Sequence, residues 1–266
     1  LTKMRRGKSG SAVREAVQLR KLSREYNTAR QRQLVESIPT PIGRPARVDI
    51  LGDSETGPYP HDLRRWGRAG VFLEHLRAIA ADPPDLVKHL GDQTSRGRRS
   101  EFIEVLRAVR ETIPGIPYLT IPGNHDRSSY IPPSSSKIYR EAFGSSDYYY
   151  DFAGVRWVEL DNSGRRLTRR QLRWLDQALA SAPGPKIVSL HISPSTLGAW
   201  TNISIFRGAG GFREGASEFM ALMRKHGVGN VFSGHQHGLA SMIVDGTRFT
   251  MTGGGGSPIY PSRLPL

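Results

Sequence analysis

Cysteine is absent from the chain. That excludes disulfide staples and thiolate-held metals, so any metal here must be bound by His, Asp, Glu, Asn or water. Long apolar runs are missing as well: none approaches the ~20 residues needed to span a bilayer. The chain starts at Leu1, so a signal peptide or anchor upstream is compatible with it, and exported and cytoplasmic locations both stay open. Apolar residues make up only 37% of the 266 residues, but that length suffices for one large α/β domain with a sizeable core. Gly (29) and Pro (18) point to tight turns between short elements.

Acidic residues are scarce relative to basic ones, 24 against 38, leaving a net charge of +14. Such an excess suggests a phosphate-rich partner until its distribution is read. Residues 1–47 hold 12 Lys or Arg against Glu15, Glu25 and Glu36, which places +9 there and only +5 in the rest. The excess therefore belongs to an N-terminal appendage more than to the body. Residues 1–10 lack apolar periodicity and read as a basic arm, whereas Val13, Val17, Leu22 and Tyr26 predict an amphipathic basic helix from Ser11 to about Glu36. A helix strapped to the body with a solvated charged face is favoured over one that binds nucleic acid or an anionic membrane. Tyr26 is the sole aromatic residue in that stretch, so base stacking has little support. The Pro-rich stretch 39–45 reads as a stiff linker, giving an expected division into an arm (1–45) and a main domain (46–266).

From Val48 onward the pattern changes. Val48–Leu51 predicts a strand ending in Gly52-Asp53, and 62–81 a helix with Val71, Phe72 and Leu76 inward. Leu86–Leu90 predicts a strand ending in Gly91-Asp92, with a helix over 99–111, and Tyr118–Ile121 a strand ending in Gly123-Asn124-His125-Asp126. This rhythm of strand, polar loop and helix indicates parallel pairing with functional groups at the strands' carboxyl ends. Residues 148–160 predict a hairpin turning at Ala153-Gly154; a helix over 167–182 and a strand over 186–190 then deliver His191. A Gly-rich segment at 208–215, a helix near 216–226 and a short strand lead to Gly234-His235-Gln236-His237, with two more strands at 239–244 and 247–252. No internal repeat occurs.

Taken singly, these polar residues have ordinary uses: Asp53 and Asp92 as caps after strands, Asn124 in a turn, His191 as a satisfied strand-end histidine. Taken together, the order Asp, Gly-Asp, Gly-Asn-His-Asp, His and Gly-His-x-His resembles the calcineurin-like metallophosphoesterase superfamily over about residues 46–256. The resemblance implies a four-layer αββα sandwich of two mixed sheets flanked by helices. It also implies two divalent ions, Mn, Fe or Zn, roughly 3.5–4 Å apart, sharing a hydroxide that attacks a phosphate ester. By resemblance Asp92 bridges them, Asp53 and His237 hold the first, and Asn124, His191 and His235 hold the second. His125 would face the substrate and assist the leaving group, with Asp126 fixing its orientation or raising its pKa. Arg127 is either a phosphate contact or, the favoured reading, a surface arginine.

Two positions depart from the family's pattern. Its first motif is usually Asp-x-His, and here Asp53-Ser54-Glu55 stands; its second usually ends in Asp, where this chain has Ser95. Glu55 is either a carboxylate ligand of the first metal or an exposed loop residue, and His61 could fold back in its stead. Purple acid phosphatases also lack that histidine, but they place a metal-binding tyrosine where Ser95 stands. Within the superfamily the histidine is associated with diester cleavage, so its loss leans the expectation toward phosphomonoesters. The alternatives are a phosphodiesterase or nuclease using the basic arm, and a metal-binding scaffold impaired in turnover. The segment from His191 to Gly215, with Trp200, Phe206 and Phe212, is a pocket wall or a packed surface loop.

Overall fold

The computed structural model describes residues 2–41, 43–55, 69–128, 134–202, 210–257 and 259. A first sheet is built from β1 (Val48–Leu51), β2 (Leu86–His89) and β3 (Tyr118–Thr120), in that order and parallel throughout. A second holds β4 (Tyr148–Phe152), β5 (Val155–Leu160), β6 (Lys186–Leu190), β7 (Asn230–Ser233), β8 (Leu239–Val244) and β9 (Thr247–Thr252), in the order β4-β5-β6-β7-β9-β8. Its four inner strands run parallel, and β4 and β8 pair antiparallel at its edges. The second sheet is thus mixed, while the first has no antiparallel member among the described residues.

Helices cover the outer faces. On the first sheet lie α1 (Thr2–Tyr26), α3 (Ala69–Ala81), α4 (Arg99–Thr112) and α5 (Lys137–Phe143), while α6 (Arg169–Ala180) and α7 (Ala216–Lys225) lie on the second; α2 (Thr28–Glu36) packs against β3 and β4 and adds Val35 to the layer between the sheets. Between the sheets Leu86, Leu119, Tyr148, Tyr150, Phe152 and Trp157 form a separate apolar layer, so the order of layers is helix, sheet, sheet, helix. The arrangement follows from the strand-loop-helix alternation, because each parallel crossover returns its helix to one face of its sheet.

The N-terminal segment differs from expectation. Helix α1 begins at Thr2, so the basic arm is helical, and the single expected helix is interrupted at Asn27. Asn27 Oδ1 accepts the Arg30 backbone N–H at 3.0 Å, an N-cap that restarts the chain as α2. The docked stripe is Leu19, Leu22 and Tyr26, which join the core with Phe102 and Phe143. Val13 and Val17 are 61% and 66% exposed. At about 100° per residue, Val17 lies about 200° of helix rotation from Leu19 and Val13 about 180° from Leu22, so both face away from the docked side chains. Thr28 Oγ1 donates to the carbonyls of Phe143 and Ser145, and Tyr118 N donates to Gln31 Oε1 at 2.7 Å, tying α2 to β3.

Elsewhere the expected elements form. The hairpin turns at Ala153-Gly154, both at positive φ (50° and 77°), the turn that matches strand twist. Helix α5 has no counterpart in the sequence reading, because seven residues are too few to display a period. Phe212 is buried against Phe219 and belongs to the core. Phe206 and the side chain of Trp200 fall outside what is described, as do residues 62–68 of the helix expected from 62.

Candidate metal centre

The strand-end loops meet at the carboxyl edges of β1, β2, β3, β6 and β7. Asp53 N donates to Gly91 O and Glu55 N to Asp92 O, both at 2.9 Å, so the first two loops are laced together by backbone. Asp53, Glu55, Asp92 and His235 all have positive φ (60°, 33°, 54° and 69°). Non-glycine residues reach that region at a cost, and such residues cluster where the surrounding structure holds functional groups in place. Gly123 and Gly234 have another role: a Cβ on either would collide with the carboxylate of Asp92 or Asp53.

Asp92 is the hub. Its Oδ1 accepts the His125 backbone N–H at 2.7 Å, and its Oδ2 lies 3.1 Å from His191 Nε2. Donor atoms of Asp92, His191 and His235 lie within 4.8 Å of one another, and so do those of Glu55, Asp92 and His125. Asp53 sits beside both groups: each of its oxygens is 3.0 Å from the His235 backbone N–H, and Oδ1 is 3.6 Å from His237 Nε2. Glu55 is buried rather than an exposed loop residue, with Oε1 3.2 Å from His125 Nδ1. His61 lies outside the described residues.

Supporting contacts aim the imidazoles. His191 Nδ1 donates to Leu90 O at 2.8 Å, which turns Nε2 toward the cluster, and Asn162 Oδ1 accepts the backbone N–H groups of His191 and Ile192. Asp126 is fully buried, and its oxygens accept the backbone N–H groups of Gln93, Thr94 and Gly123. It clamps the second and third loops together. His125 Nδ1 meets the Ser95 carbonyl at 3.3 Å, so the residue replacing the usual aspartate touches this histidine through its backbone.

Electrostatically the cluster is short of positive charge. Burial drives the Asp53 carboxyl well above its usual range, with Asp92 and Glu55 adding to the rise. Burial pushes Asp92 up too, but the imidazoles of His191 and His125 outweigh it and hold that carboxyl below the usual range. Burial lowers His191, yet Asp92 and Asp53 overcome it and raise the imidazole to about 10. His125 follows the same pattern, with burial opposed by Asp92 and Glu55 and a net rise. His235 is driven far down by burial and by His191. Asp126 is pushed up to about 7 by burial and by Asp92. Asn124 Oδ1 is buried without a hydrogen-bond partner among the described residues. Three buried carboxylates, imidazoles and an amide oxygen lacking a donor fit a divalent pair, whose charge would satisfy them.

The sequence matches the family described as calcineurin-like phosphoesterase over residues 46–239. The chain belongs to that family. That family is dinuclear-metal dependent. A Fibrobacter succinogenes protein described as a probable cyclic nucleotide phosphodiesterase is 24% identical over 148 residues, 56% of this chain and 55% of that one. A purple acid phosphatase from yellow lupin (Lupinus luteus) shares the fold with a TM-score of 0.60 at 20% identity, over 83% of this chain and 46% of the other. A dimetal phosphatase from Danio rerio does so at 0.57 and 13% identity, over 80% and 88%. The chain thus spans about half the length of the Fibrobacter and lupin proteins.

One further residue of this phosphoesterase stands at the cluster. Arg165, in a turn closed by its N–H to Asn162 O and with φ of 61°, brings Nη1 to 3.3 Å from His235 Nε2, while Nη2 donates to Gly210 O. Sequence order gave no sign of it, since no family motif covers it and the approach exists only once the β5–α6 loop lies over β7's end. The remaining described histidines have other partners: His75 meets Gly254 O, His89 meets Ser54 Oγ, and His226 meets Asp176. No described helix is long and apolar enough to cross a membrane.

Proposed function

We propose that this phosphoesterase hydrolyses phosphomonoesters at a dinuclear centre whose two ligand groups would share Asp92. Asp53, Glu55 and His237 serve one metal; Asn124, His191 and His235 serve the other. The observation that carries the reading is the burial of Asp53, Glu55 and Asp92 beside Asn124 Oδ1, which has no donor of its own. A bound divalent pair supplies Lewis acidity, activates water and neutralises developing charge. The all-oxygen-and-nitrogen donor set, with a glutamate where histidine is usual, favours Mn²⁺ or Fe.

The chain's own residues do the rest. His125 is the acid that protonates the leaving alkoxide, and Asp92 and Glu55 help keep its proton on against the effect of burial. Asp126 is a positioning residue, holding the loop that carries Asn124 and His125 against the loop that carries Asp92. Arg165 contacts a phosphoryl oxygen. A dianionic monoester gains more from that cation than a monoanionic diester, which supports the monoester lean despite the charge that Glu55 adds. The docking of α1 into one core cluster and of Val35 of α2 into another supports a structural role for residues 1–45 over a nucleic-acid arm.

Metal analysis and paired aryl substrates test the reading. Purified protein should hold about two metals and turn over p-nitrophenyl phosphate with kcat/KM at least tenfold above bis-p-nitrophenyl phosphate. The reverse ratio would establish the diesterase alternative, to which the description of the Fibrobacter relative points. Asp92→Asn should abolish both metal loading and turnover, and retained activity would refute the site.

A further inference from the structure

An open groove of about 640 Å³ is lined by chain neighbours of the cluster residues and by none of the cluster residues themselves. Its walls are the two loops flanking the second-metal side. Arg127 directly follows Asn124-His125-Asp126, and Gly164 and Arg166 bracket Arg165, whose guanidinium lies 3.3 Å from His235 Nε2. The groove is therefore lined by immediate chain neighbours of site residues on both loops. Its lining is polar and basic: Arg127, Arg140 and Arg166 face a single carboxylate, Asp161, among serine and threonine hydroxyls. Asp161 Oδ1 is already engaged by the Ser163 N–H and hydroxyl at 3.1 and 2.6 Å, which blunts the one negative charge.

The arginines have different tasks. Arg127 spans the gap between the loops, with Nε and Nη2 on the Ser134 hydroxyl and carbonyl and Nη1 on Ser163 Oγ, so it braces the walls. Arg140 rests on Ser136 Oγ, and Arg166 lies 3.8 Å from the exposed Glu214. Both are exposed on the rim, and neither is in the core. A site for an aryl or alkyl leaving group would carry apolar walls. Guanidinium forks with hydroxyls instead match phosphoryl oxygens.

We infer that the groove is a second phosphate subsite, and that the substrates are phosphomonoesters whose leaving group carries another phosphoryl group. This rests on the phosphoesterase reading above. One phosphoryl group sits at the metals beside Arg165, and the second is held by Arg140 and Arg166. Hydrolysis then releases orthophosphate and a monophosphorylated alcohol.

Short alkanediols of two to six carbons, phosphorylated at one end or at both, are the probes. The wild-type protein should prefer the bisphosphate over the matching monophosphate by at least tenfold in kcat/KM, with an optimum at one tether length. The double variant Arg140→Gln/Arg166→Gln should lose at least tenfold of that preference. A wild-type protein active on p-nitrophenyl phosphate but indifferent to the second phosphate would overturn the subsite alone. So would a double variant that keeps the preference. Calorimetric binding of the best bisphosphate reads the groove even if nothing turns over: tenfold weaker binding by the double variant supports the subsite, and equal affinity refutes it. Loss of wild-type activity on every phosphate ester would instead remove the underlying reading.

Discussion

Glu55 Oε1 lies 3.2 Å from His125 Nδ1. The residue at the family's usual first-motif histidine position is thus a buried carboxylate in contact with the His125 imidazole. Its charge raises the His125 pKa, after Asp92 and against burial. A general acid works below its pKa, so activity should fall as pH rises through that value. Glu55→Gln removes the charge and should move the alkaline limb of the kcat profile to lower pH. An unmoved limb would show that Glu55 does not influence the proton on His125.

Glu55→His probes the ester class. Metal content should be retained, while the ratio of diester to monoester turnover rises. If neither ratio nor metal content changes, Glu55 is not part of the site.

Arg165→Ala should raise the KM for p-nitrophenyl phosphate and the inhibition constant of orthophosphate together, by about 10- to 100-fold, the range of a charged hydrogen bond of ~1.5–3 kcal/mol. Metal content should be unchanged, because the guanidinium donates no ligand. A fall in metal content with unaltered phosphate affinity would make Arg165 a brace for His235 instead.

Lys88 on β2 and Glu159 on β5 form an ion pair between the sheets, both fully buried, with the Lys88 ammonium 5.8 Å from the Trp157 ring. Burial lowers Lys88 and raises Glu159, so each alone is costly to charge. Lys88→Met should destabilise by about 3–5 kcal/mol by stranding the glutamate, and Lys88→Met/Glu159→Leu should recover most of that loss. Urea unfolding of the single and double variants decides it; equal losses in both would mean the pair itself is strongly net stabilising.

His89, packed edge-on to Phe72 and hydrogen-bonded to Ser54, has its pKa lowered to about 3, chiefly by burial and then by His191. The unfolded chain takes up this proton near 6.5, whereas the folded one resists until about 3. Stability should therefore fall as pH drops between those values, by up to about 1.4 kcal/mol per unit for this group. His89→Gln should flatten that slope for the metal-free protein, measured by urea unfolding at several pH values. An identical slope would assign the acid sensitivity to other groups.

The strand-end aspartates and histidines could be read in order because each follows a short apolar strand in the same local stretch of chain. Parallel crossovers then bring those ends to one edge. The division of α1 into a docked and an exposed stripe was misread, since Val13 and Val17 have the same spacing as the residues that pack. Helix α5 left no period to detect.

The sequence by itself determined the residue types of the cluster, their order and the alternation that builds two layered sheets, because these are properties of short contiguous segments. Only the tertiary structure decided that Glu55 is buried against His125, that Arg165 reaches His235, that Lys88 meets Glu159 and that Arg127, Arg140 and Arg166 share one groove. Each of those depends on loops or sheets far apart in the chain coming within a few ångströms, and the local pattern of residues carries no record of that distance.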